Sequence, residues 1–176
     1  MVYSILKTEY GWCVIFGDKG RLLEIIPFLR SEAEAFSRVF SRHTTMTGDP
    51  RFFNEIRESM RRYFLGEKVD YRFPVDLSRH TCFQRKVWKI TESIPYGDVL
   101  TYRQVSAMMG NPSALRAVGR ALAKNPLPII IPCHRVVRSN GELGGYSAPG
   151  GIDMKARLLN MEGQEFDSKG RLLIFH

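Results

Sequence analysis

Residues 101–137 read TYRQVSAMMGNPSALRAVGRALAKNPLPIIIPCHRVV, and this stretch decides how the second half of the chain folds. Thr101 is an N-cap candidate for a short helix that Gly110 ends. Ser113 is predicted to cap a second helix, which stops before Pro126. Two short helices joined by a tight turn predict a helix-turn-helix unit, a pattern that also occurs in ordinary helical hairpins.

The same stretch is the basic part of the chain. The formal net charge is +8 and the isoelectric point is about 9.6, and no acidic residue occurs between Val99 and Gly141. Arg116 and Arg120 are four residues apart and therefore share one face of the second helix, which Lys124 continues. Such a stripe would bind a polyanion such as DNA by releasing its counterions. A solvated basic face is the alternative interpretation.

A cysteine and a histidine follow the apolar run of residues 129–131. We expect a buried strand there, and the turn at residues 139–141 predicts a hairpin that would complete a winged helix. Pro132 donates no backbone hydrogen bond, so a regular strand should stop where Cys133 begins. Because neighbouring residues of a strand point to opposite faces, Cys133 and His134 can act together only if the chain turns there or a water links them.

Cys133 has two interpretations. A cysteine that ends an apolar run is usually an inert part of the core. Its neighbours His134 and Arg135 would instead give a thiolate the polar and electropositive surroundings that nucleophilic cysteines require. A cysteine beside a histidine is also typical of thiol hydrolases, which need an oriented base and an oxyanion hole.

The first half of the chain predicts a small antiparallel sheet followed by helices. Residues 3–28 alternate apolar and polar positions in places and contain turn residues, which indicates two or three strands. Ser31 and Glu34 form a capping-box pattern at the start of a helix. The inward face of this helix is predicted to contain Ala35, Val39 and Phe40.

A second helix is predicted between Asp49, with the proline that follows it, and Gly66. Its residues spaced to face a core are Phe52, Phe53, Ile56, Met60 and Phe64. The polar, extended stretch between Gly66 and Arg79 contains a proline and is interpreted as a linker. We therefore predict two domains, residues 1–75 and residues 80–176.

Two further helices and a strand are predicted in the second half. One helix starts at Thr81 and ends before Pro95, and another spans residues 150–163. Their predicted inward residues are Phe83, Val87, Ile90 and Ile94 in the first helix and Ile152, Ala156 and Leu159 in the second. Residues 170–176 predict a terminal strand.

Two further cysteines and two further histidines carry no predicted chemistry. Cys13 and Cys82 are interpreted as reduced, structural thiols, because no two cysteines have the spacing of a zinc site or redox pair. His43 and His80 have no ligands at metal-binding spacing and are assigned to surface or linker positions, so we expect no metal and no cofactor. The chain has neither a long apolar stretch nor a signal-peptide pattern, so we expect no membrane association and a cytoplasmic location.

The motif PCHRV at residues 132–136 completes a resemblance to a known family. Residues 83–163 are similar to the C-terminal domain of the O6-alkylguanine-DNA alkyltransferases, also called methylated-DNA–protein-cysteine methyltransferases. The resemblance implies an α+β/α fold in two parts. A small N-terminal antiparallel-sheet domain with helices, ribonuclease H-like, precedes a mostly helical, winged-helix-like domain that binds DNA and accepts the alkyl group.

The resemblance also implies catalytic roles. Cys133 corresponds to the alkyl acceptor, His134 to the base that relays its proton through a water, and Glu162 to the carboxylate that orients the histidine. Asn125 corresponds to an asparagine that braces the helix pair against the active-site strand. Tyr102 corresponds to a tyrosine that crowds the target phosphate and helps to rotate the nucleotide out of the duplex.

DNA binding is assigned mainly to the helix pair. Arg116 corresponds to an arginine that enters the duplex in place of the flipped nucleotide, and small residues would let the second helix approach the minor groove closely. The predicted DNA-binding residues are Tyr102, Arg103, Ala114, Arg116, Ala117, Gly119, Arg120, Lys124 and Arg135. The predicted substrate-pocket residues are Pro132, Val136, Tyr146 and Ser147. The pocket loop contains Pro149 and departs from the family's short glycine-rich form, which leaves the range of alkyl groups open.

The implied activity is repair of double-stranded DNA by direct reversal. The alkyl group of O6-alkylguanine, and of O4-alkylthymine, would pass irreversibly to Cys133 after nucleotide flipping, once per molecule. We expect a monomer that acts on DNA, associated with the nucleoid if the host is a prokaryote. Two other classes of protein are alternatives. One is an alkyltransferase-like protein that flags lesions, but such proteins replace the acceptor cysteine. The other is a winged-helix transcription regulator, which would leave the PCHRV motif unexplained.

Overall fold

The computed structural model describes residues 1–42 and 50–173, without the side chains of residues 50–52. The chain divides into two compact units, Met1–Arg79 and His80–His176.

The first unit contains the predicted antiparallel sheet. Its strands are β1 (Val2–Thr8), β2 (Gly11–Asp18) and β3 (Arg21–Leu29), and they lie in the order β1-β2-β3. Gly11 begins β2 with a φ of 111°, a backbone conformation that favours glycine, and an added Cβ would lie 2.6 Å from the Leu29 carbonyl oxygen. The small sheet expected from the sequence is confirmed.

Two helices complete this unit, α1 (Glu32–Phe40) and α2 (Pro50–Phe64). The Ser31 side chain accepts a hydrogen bond from the Glu34 backbone nitrogen at 3.1 Å, so the predicted cap is confirmed. The expectation for Phe40 is wrong, because its side chain is 72% exposed and stacks on Phe36, four residues earlier, on a second stripe of the helix. The buried residues of the two helices, within the described side chains, are Ala35, Val39, Phe53, Ile56, Met60, Tyr63 and Phe64. The predicted helix start at Asp49, the side chain of Phe52 and the position of His43 lie outside the described residues.

Residues 74–76 of the predicted linker are hydrogen-bonded to the sheet of the first unit. The Leu22 backbone nitrogen donates to the carbonyl oxygen of Pro74 at 2.8 Å, and the Asp76 nitrogen donates to the carbonyl oxygen of Leu22 at the same distance. Leu22 and Val75 therefore form a parallel bridge at the edge of the sheet. This part of the linker supplies hydrogen-bond partners to an edge strand that would otherwise lack them.

The second unit is mostly helical, as predicted. Its elements are α3 (Cys82–Glu92), β4 (Leu100–Thr101), α4 (Tyr102–Met108), α5 (Leu115–Ala123), a 3₁₀ turn (Cys133–Arg135), β5 (Val136–Val137) and α6 (Gly151–Met161). Thr101 caps α4 through a capping box with Gln104, which confirms the predicted start of that helix. Ser113 does not cap α5: Ala114 occupies the N-cap position and makes no side-chain cap hydrogen bond. The Asn111 side chain instead accepts from the Ser113 nitrogen and stabilises the turn before α5.

The buried faces of α3 and α6 agree with the prediction only in part. Val87, Ile94 and Leu159 are buried as predicted. In α3 the buried residues are Val87, Trp88 and Thr91, and in α6 they are Met154, Lys155, Leu158 and Leu159. Phe83 and Ile152 are exposed. The Trp88 indole nitrogen donates to the Ala121 carbonyl oxygen at 2.9 Å, so α3 faces α5 through its largest side chain.

The expected strand and hairpin around Cys133 are replaced by turns. Prolines at residues 126, 128 and 132 lack the N–H groups that a strand ladder needs, and the Ile131 nitrogen donates locally to the Leu127 carbonyl oxygen. The chain then enters the 3₁₀ turn and β5, which pairs in parallel with β4 rather than with a following hairpin strand. Of the expected terminal strand, the described part contains a single bridge between Phe166 and Leu172. Within the described residues, no helix is long and apolar enough to cross a membrane.

Candidate active site

Cys133 is the first residue of the 3₁₀ turn formed by residues 133–135, which we call the active-site turn. Its side chain is buried except for 7% of its surface and lines a cavity of about 800 Å³. The sequence did not decide whether the chain turns at Cys133 and His134. In the structure it does turn there. The thiol is therefore neither sealed in the core nor placed on a regular strand.

Asn125 fixes the approach to the active-site turn. Its side-chain nitrogen donates to the Ile131 carbonyl oxygen at 2.7 Å and to Cys133 Sγ at 3.2 Å. Its side-chain oxygen accepts from the Leu127 nitrogen at 3.0 Å. One amide at the end of α5 thus joins both ends of the proline-rich segment to the sulfur atom.

Glu162, at the end of α6, binds two neighbouring residues of the active-site turn. His134 Nε2 donates to Glu162 Oε1 at 2.9 Å. The Arg135 guanidinium binds both carboxylate oxygens, with distances of 2.8 and 2.9 Å, and also donates to the Ile94 carbonyl oxygen. His134 and Glu162 are buried, so this network is shielded from water and its hydrogen bonds are strong.

The charges of this network define the histidine tautomer. Burial raises the pKa of Glu162, but the hydrogen bonds from His134 and Arg135 outweigh it and lower the value to about 2. Burial lowers the pKa of His134, and the carboxylate offsets only part of that effect. The imidazole is therefore neutral at pH 7, and because an ionised carboxylate only accepts, Nε2 carries the proton and Nδ1 is the basic nitrogen.

The sulfur atom of Cys133 rests as a thiol. Burial raises its pKa, and the hydrogen bond from Asn125 and the charge of Lys155 offset only part of that rise. The ionised sulfur expected from the sequence therefore has to form during the reaction, with a base nearby to take the proton. The imidazole of His134 is neutral and can therefore accept this proton.

Lys155 is a functional candidate that the sequence reasoning missed. It lies on the buried face of α6, and its ammonium group donates to the carbonyl oxygens of Val136 and Leu143 at 2.5 and 2.6 Å. Burial lowers its pKa to about 8. The helical spacing of Lys155 with Leu158 and Leu159 puts it on the core face of α6. A lysine is rarely buried without a functional or structural partner, so its position in the sequence is the signal that could have identified it as a candidate.

The cavity wall brings six predicted residues together with Cys133. These residues are Tyr102, Arg103, Arg116, Gly119 and two from the pocket loop, Tyr146 and Ser147, with Leu115 and Leu122 adding apolar surface. Burial, followed by the charge of Cys133, raises the pKa of Tyr102, so its hydroxyl keeps its proton and can donate. Gly144 packs against this ring, because an added Cβ would lie 3.0 Å from Tyr102 Cε2.

Three predicted residues have other surroundings than expected. Arg135 was predicted to contact DNA, and the structure contradicts this, because its buried guanidinium is engaged by Glu162 and Ile94. Pro132 and Val136 are buried and do not form part of the described cavity wall. Val136 contributes through its backbone oxygen, which binds Lys155.

The other predicted DNA-binding residues lie on or beside α5. Arg120 and Lys124 are exposed, as are Arg103 and Arg116, and Ala114 and Ala117 are half-buried. The second helix therefore presents positive charge and small side chains on a surface continuous with the cavity wall. The described geometry is that of an anion-binding face beside a thiol.

Comparisons with known proteins agree with this arrangement over both units. Residues 82–164 match the family model for the 6-O-methylguanine DNA methyltransferase DNA-binding domain, and residues 1–77 match the model for the ribonuclease-like domain of the same enzyme. The chain belongs to the 6-O-methylguanine DNA methyltransferase family. The fold class expected from the sequence, a small antiparallel sheet with helices followed by a helical unit, is that of this family.

Relatives within the 6-O-methylguanine DNA methyltransferase family match nearly the whole chain. The methylated-DNA–protein-cysteine methyltransferase of Methanosarcina acetivorans is 36% identical over 164 residues, which covers 93% of this chain and 99% of that protein. The constitutive enzyme of that name from Bacillus subtilis is 35% identical over 95% of this chain and 98% of its own. The crystal structure of Mycobacterium tuberculosis OGT in complex with DNA has a TM-score of 0.76 and 34% identity, and the match covers 93% of both chains.

Proposed function

We propose that this protein repairs duplex DNA by transferring the methyl group from O6 of guanine to Cys133. The observation that carries the proposal is the position of Cys133 Sγ, which lies on the wall of a large cavity and accepts a hydrogen bond from Asn125. A neutral His134, oriented by Glu162, is the adjacent residue. The names of the Methanosarcina and Bacillus relatives and the DNA complex of the Mycobacterium protein support the same activity.

The nucleotide has to leave the base stack before the reaction. A methyl group on guanine O6 is enclosed in the duplex, so the nucleotide must be extruded at a cost of a few kcal/mol. Arg116, exposed on α5 at the cavity wall, would occupy the space that the base leaves. Tyr102, at the start of α4, would crowd the backbone phosphate and favour the extruded state.

The transfer is an in-line displacement at the methyl carbon. The proton of Cys133 passes to His134 Nδ1 through a water, and the sulfur then forms a bond to the carbon as the carbon–oxygen bond breaks. The electron pair of that bond remains on the purine, where the Tyr102 hydroxyl, which keeps its proton, donates a hydrogen bond. The purine then takes up a proton from water to become guanine, and the imidazolium of His134 gives the thiol's proton back to water. Glu162 stabilises the imidazolium that forms transiently.

The product on the protein is a thioether, which is a poor leaving group. The reaction is therefore irreversible and happens once per molecule. O4-methylthymine presents the same oxygen–methyl bond on a smaller base and is proposed as a second substrate. We place the action of the protein in the cytoplasm, on the nucleoid if the host is a prokaryote, and we assign it to the monomer.

Intact mass spectrometry after incubation with a duplex that contains one O6-methylguanine tests the proposal. We expect each molecule to gain one methyl group, located on Cys133 by peptide mapping. The Cys82→Ala variant, which lacks an exposed thiol on α3, should gain the methyl group as the wild type does, and Cys133→Ala should not. Retained binding of damaged DNA without an adduct would point to a flagging protein, and strong preference for one undamaged sequence would point to a regulator.

A further inference from the structure

A tight turn follows β5 and carries an exposed ion pair. We call residues 138–142 the Arg138 turn. The Arg138 nitrogen donates to the Glu142 carbonyl oxygen at 2.8 Å, and the Gly141 nitrogen donates to the Arg138 carbonyl oxygen at 3.1 Å. Arg138 Nη1 lies 2.6 Å from Glu142 Oε2, and the two side chains are 60% and 46% exposed.

The backbone of this turn is held independently of that ion pair. Asn140 Oδ1 accepts from the Glu142 nitrogen, and the Gly141 carbonyl oxygen accepts from the Leu172 nitrogen at 3.0 Å. Gly141 has a φ of 82° and its α-carbon lies close to Leu172, where an added Cβ would approach the carbonyl oxygen to 3.1 Å. The side chain of Arg138 is therefore displayed by a turn whose backbone hydrogen bonds do not involve the Glu142 carboxylate.

The Arg138 turn forms part of the cavity wall that contains Cys133. Arg138, Ser139 and Asn140 line the cavity, as does Arg116 from α5. The charge of Arg138 also reaches the hydroxyl of Tyr102, whose pKa it lowers against the larger rises caused by burial and by Cys133. The cavity therefore has cationic groups on two elements, the helix pair and this turn.

We propose that Arg138 is a second DNA-contacting element of the site and binds a backbone phosphate beside the extruded nucleotide, with Glu142 as its partner in the free protein. The inference rests on the proposed function, because it assumes a flipped nucleotide in this cavity. A guanidinium that faces a cavity beside a tyrosine hydroxyl has the geometry for a bidentate phosphate contact. Ser139 and Asn140 supply polar groups that can bind the same phosphate or its neighbour.

The ion pair with Glu142 is suited to an exchange of partners. Exposed ion pairs contribute little to stability, because water solvates both groups and salt screens them. A phosphate oxygen can thus replace the carboxylate at small cost, while Glu142 returns to solvent. In the free protein the carboxylate orders the arginine and keeps one positive charge of the cavity mouth neutralised.

Binding of a duplex with one O6-methylguanine, measured in a Cys133→Ala background over a range of salt concentrations, tests this inference. We expect Arg138→Ala to weaken binding about fivefold to twentyfold and to lower the slope of log K against log salt concentration by about one. Arg138→Lys should keep the slope and lose part of the affinity, since lysine keeps the charge but not the fork of donors. Glu142→Gln should bind as tightly as the parent or more tightly, because the competing carboxylate is gone.

Arg38→Ala is the matched control, because Arg38 forms an exposed pair with Glu34, also four residues apart, in the first unit. It should leave the affinity and the slope unchanged. Parent-like affinity and slope for Arg138→Ala would overturn the inference, and so would equal weakening by Glu142→Gln, which would show that the pair only supports the turn. Failure of the wild type to accept a methyl group would instead count against the proposed function, since these binding measurements need no transfer.

Discussion

The Asn125 side-chain nitrogen donates both to Cys133 Sγ and to the carbonyl oxygen of Ile131, at 3.2 and 2.7 Å. A single amide therefore sets the position of the sulfur relative to α5, the helix that carries Arg116. The amide also leaves the thiol less costly to ionise than burial alone would make it.

Asn125→Ala should lose both stability and reactivity. It removes three hydrogen bonds from a half-buried segment, so we expect the free energy of unfolding to fall by about 1–3 kcal/mol in urea titrations. The reaction of Cys133 with iodoacetamide should also slow. Asn125→Asp keeps the acceptor for Leu127 but places a carboxylate against the sulfur, and it should slow that reaction more than alanine does. Equal rates in both variants and in the wild type would contradict a role for the amide at the sulfur.

The free energy of unfolding should fall in two pH ranges as the pH is lowered. His134 has a folded-state pKa below its ordinary value of 6.5, so below that value the unfolded chain binds a proton that the folded chain does not. Glu162 titrates at about 2 in the folded state against an ordinary 4.5, and its contribution of about 3 kcal/mol should be lost between these two pH values. Urea titrations from pH 7.5 down to low pH measure both steps.

Glu162→Gln is the control for the lower range. At pH 7 it should cost about 3–5 kcal/mol, because it leaves the buried Arg135 guanidinium without its carboxylate. The variant should show a smaller further loss of stability between pH 4.5 and 2 than the wild type does. A wild-type free energy of unfolding that stays constant over both ranges would refute the assignment of charges in this network.

Lys155→Gln should make Cys133 less reactive. The variant keeps a donor for one of the two carbonyl oxygens but removes the positive charge that favours the thiolate. We expect the rate of iodoacetamide modification at pH 7.5 to fall about tenfold, which corresponds to about 1.4 kcal/mol of lost charge stabilisation. Lys86→Gln, at an exposed position of α3, should react like the wild type. An unchanged rate in Lys155→Gln would show that this charge does not act on the sulfur.

Arg116→Ala should separate DNA binding from chemistry. Transfer from duplex DNA should slow by about tenfold to a hundredfold, because the extruded state loses its support. Transfer from the free base O6-methylguanine, which needs no extrusion, should be unaffected. Single-turnover rates on both substrates make the comparison, and an equal loss on both would contradict the proposed wedge.

The helices of the second unit were largely predictable from sequence, because their start signals are local. Thr101 and Gln104 form a capping box four residues long, and Thr81 does the same for α3. The segment before Cys133 was not predictable from hydrophobicity, because an apolar run with a strand's composition was interrupted by prolines and closed into turns. Periodicity placed the faces of α3 and α6 only in part, since it selected the exposed residues Phe83 and Ile152 and did not select the buried residues Trp88 and Lys155.

The candidate site was also predictable from the sequence only in part. A sequence motif places Cys133, His134 and Arg135 next to each other, but it does not say which of them faces the cavity. The structure turns Arg135 inward onto Glu162 and so removes it from the DNA-binding surface. Lys155 could be suspected from its helical spacing with Leu158 and Leu159, but its hydrogen-bond partners and the place of Arg138 on the cavity wall become visible only in the structure.

The bridge between Leu22 and residues 74–76 sets the minimum length of a fragment of the first unit. A fragment that ends at Gly66, just after α2, would lack residues 74–76. The backbone N–H and C=O groups of Leu22 would then be unpaired at the edge of the sheet and could pair with a second copy of the fragment. A version that extends through Asp76 would cover them. The shorter fragment should therefore self-associate at concentrations where the longer one stays dispersed.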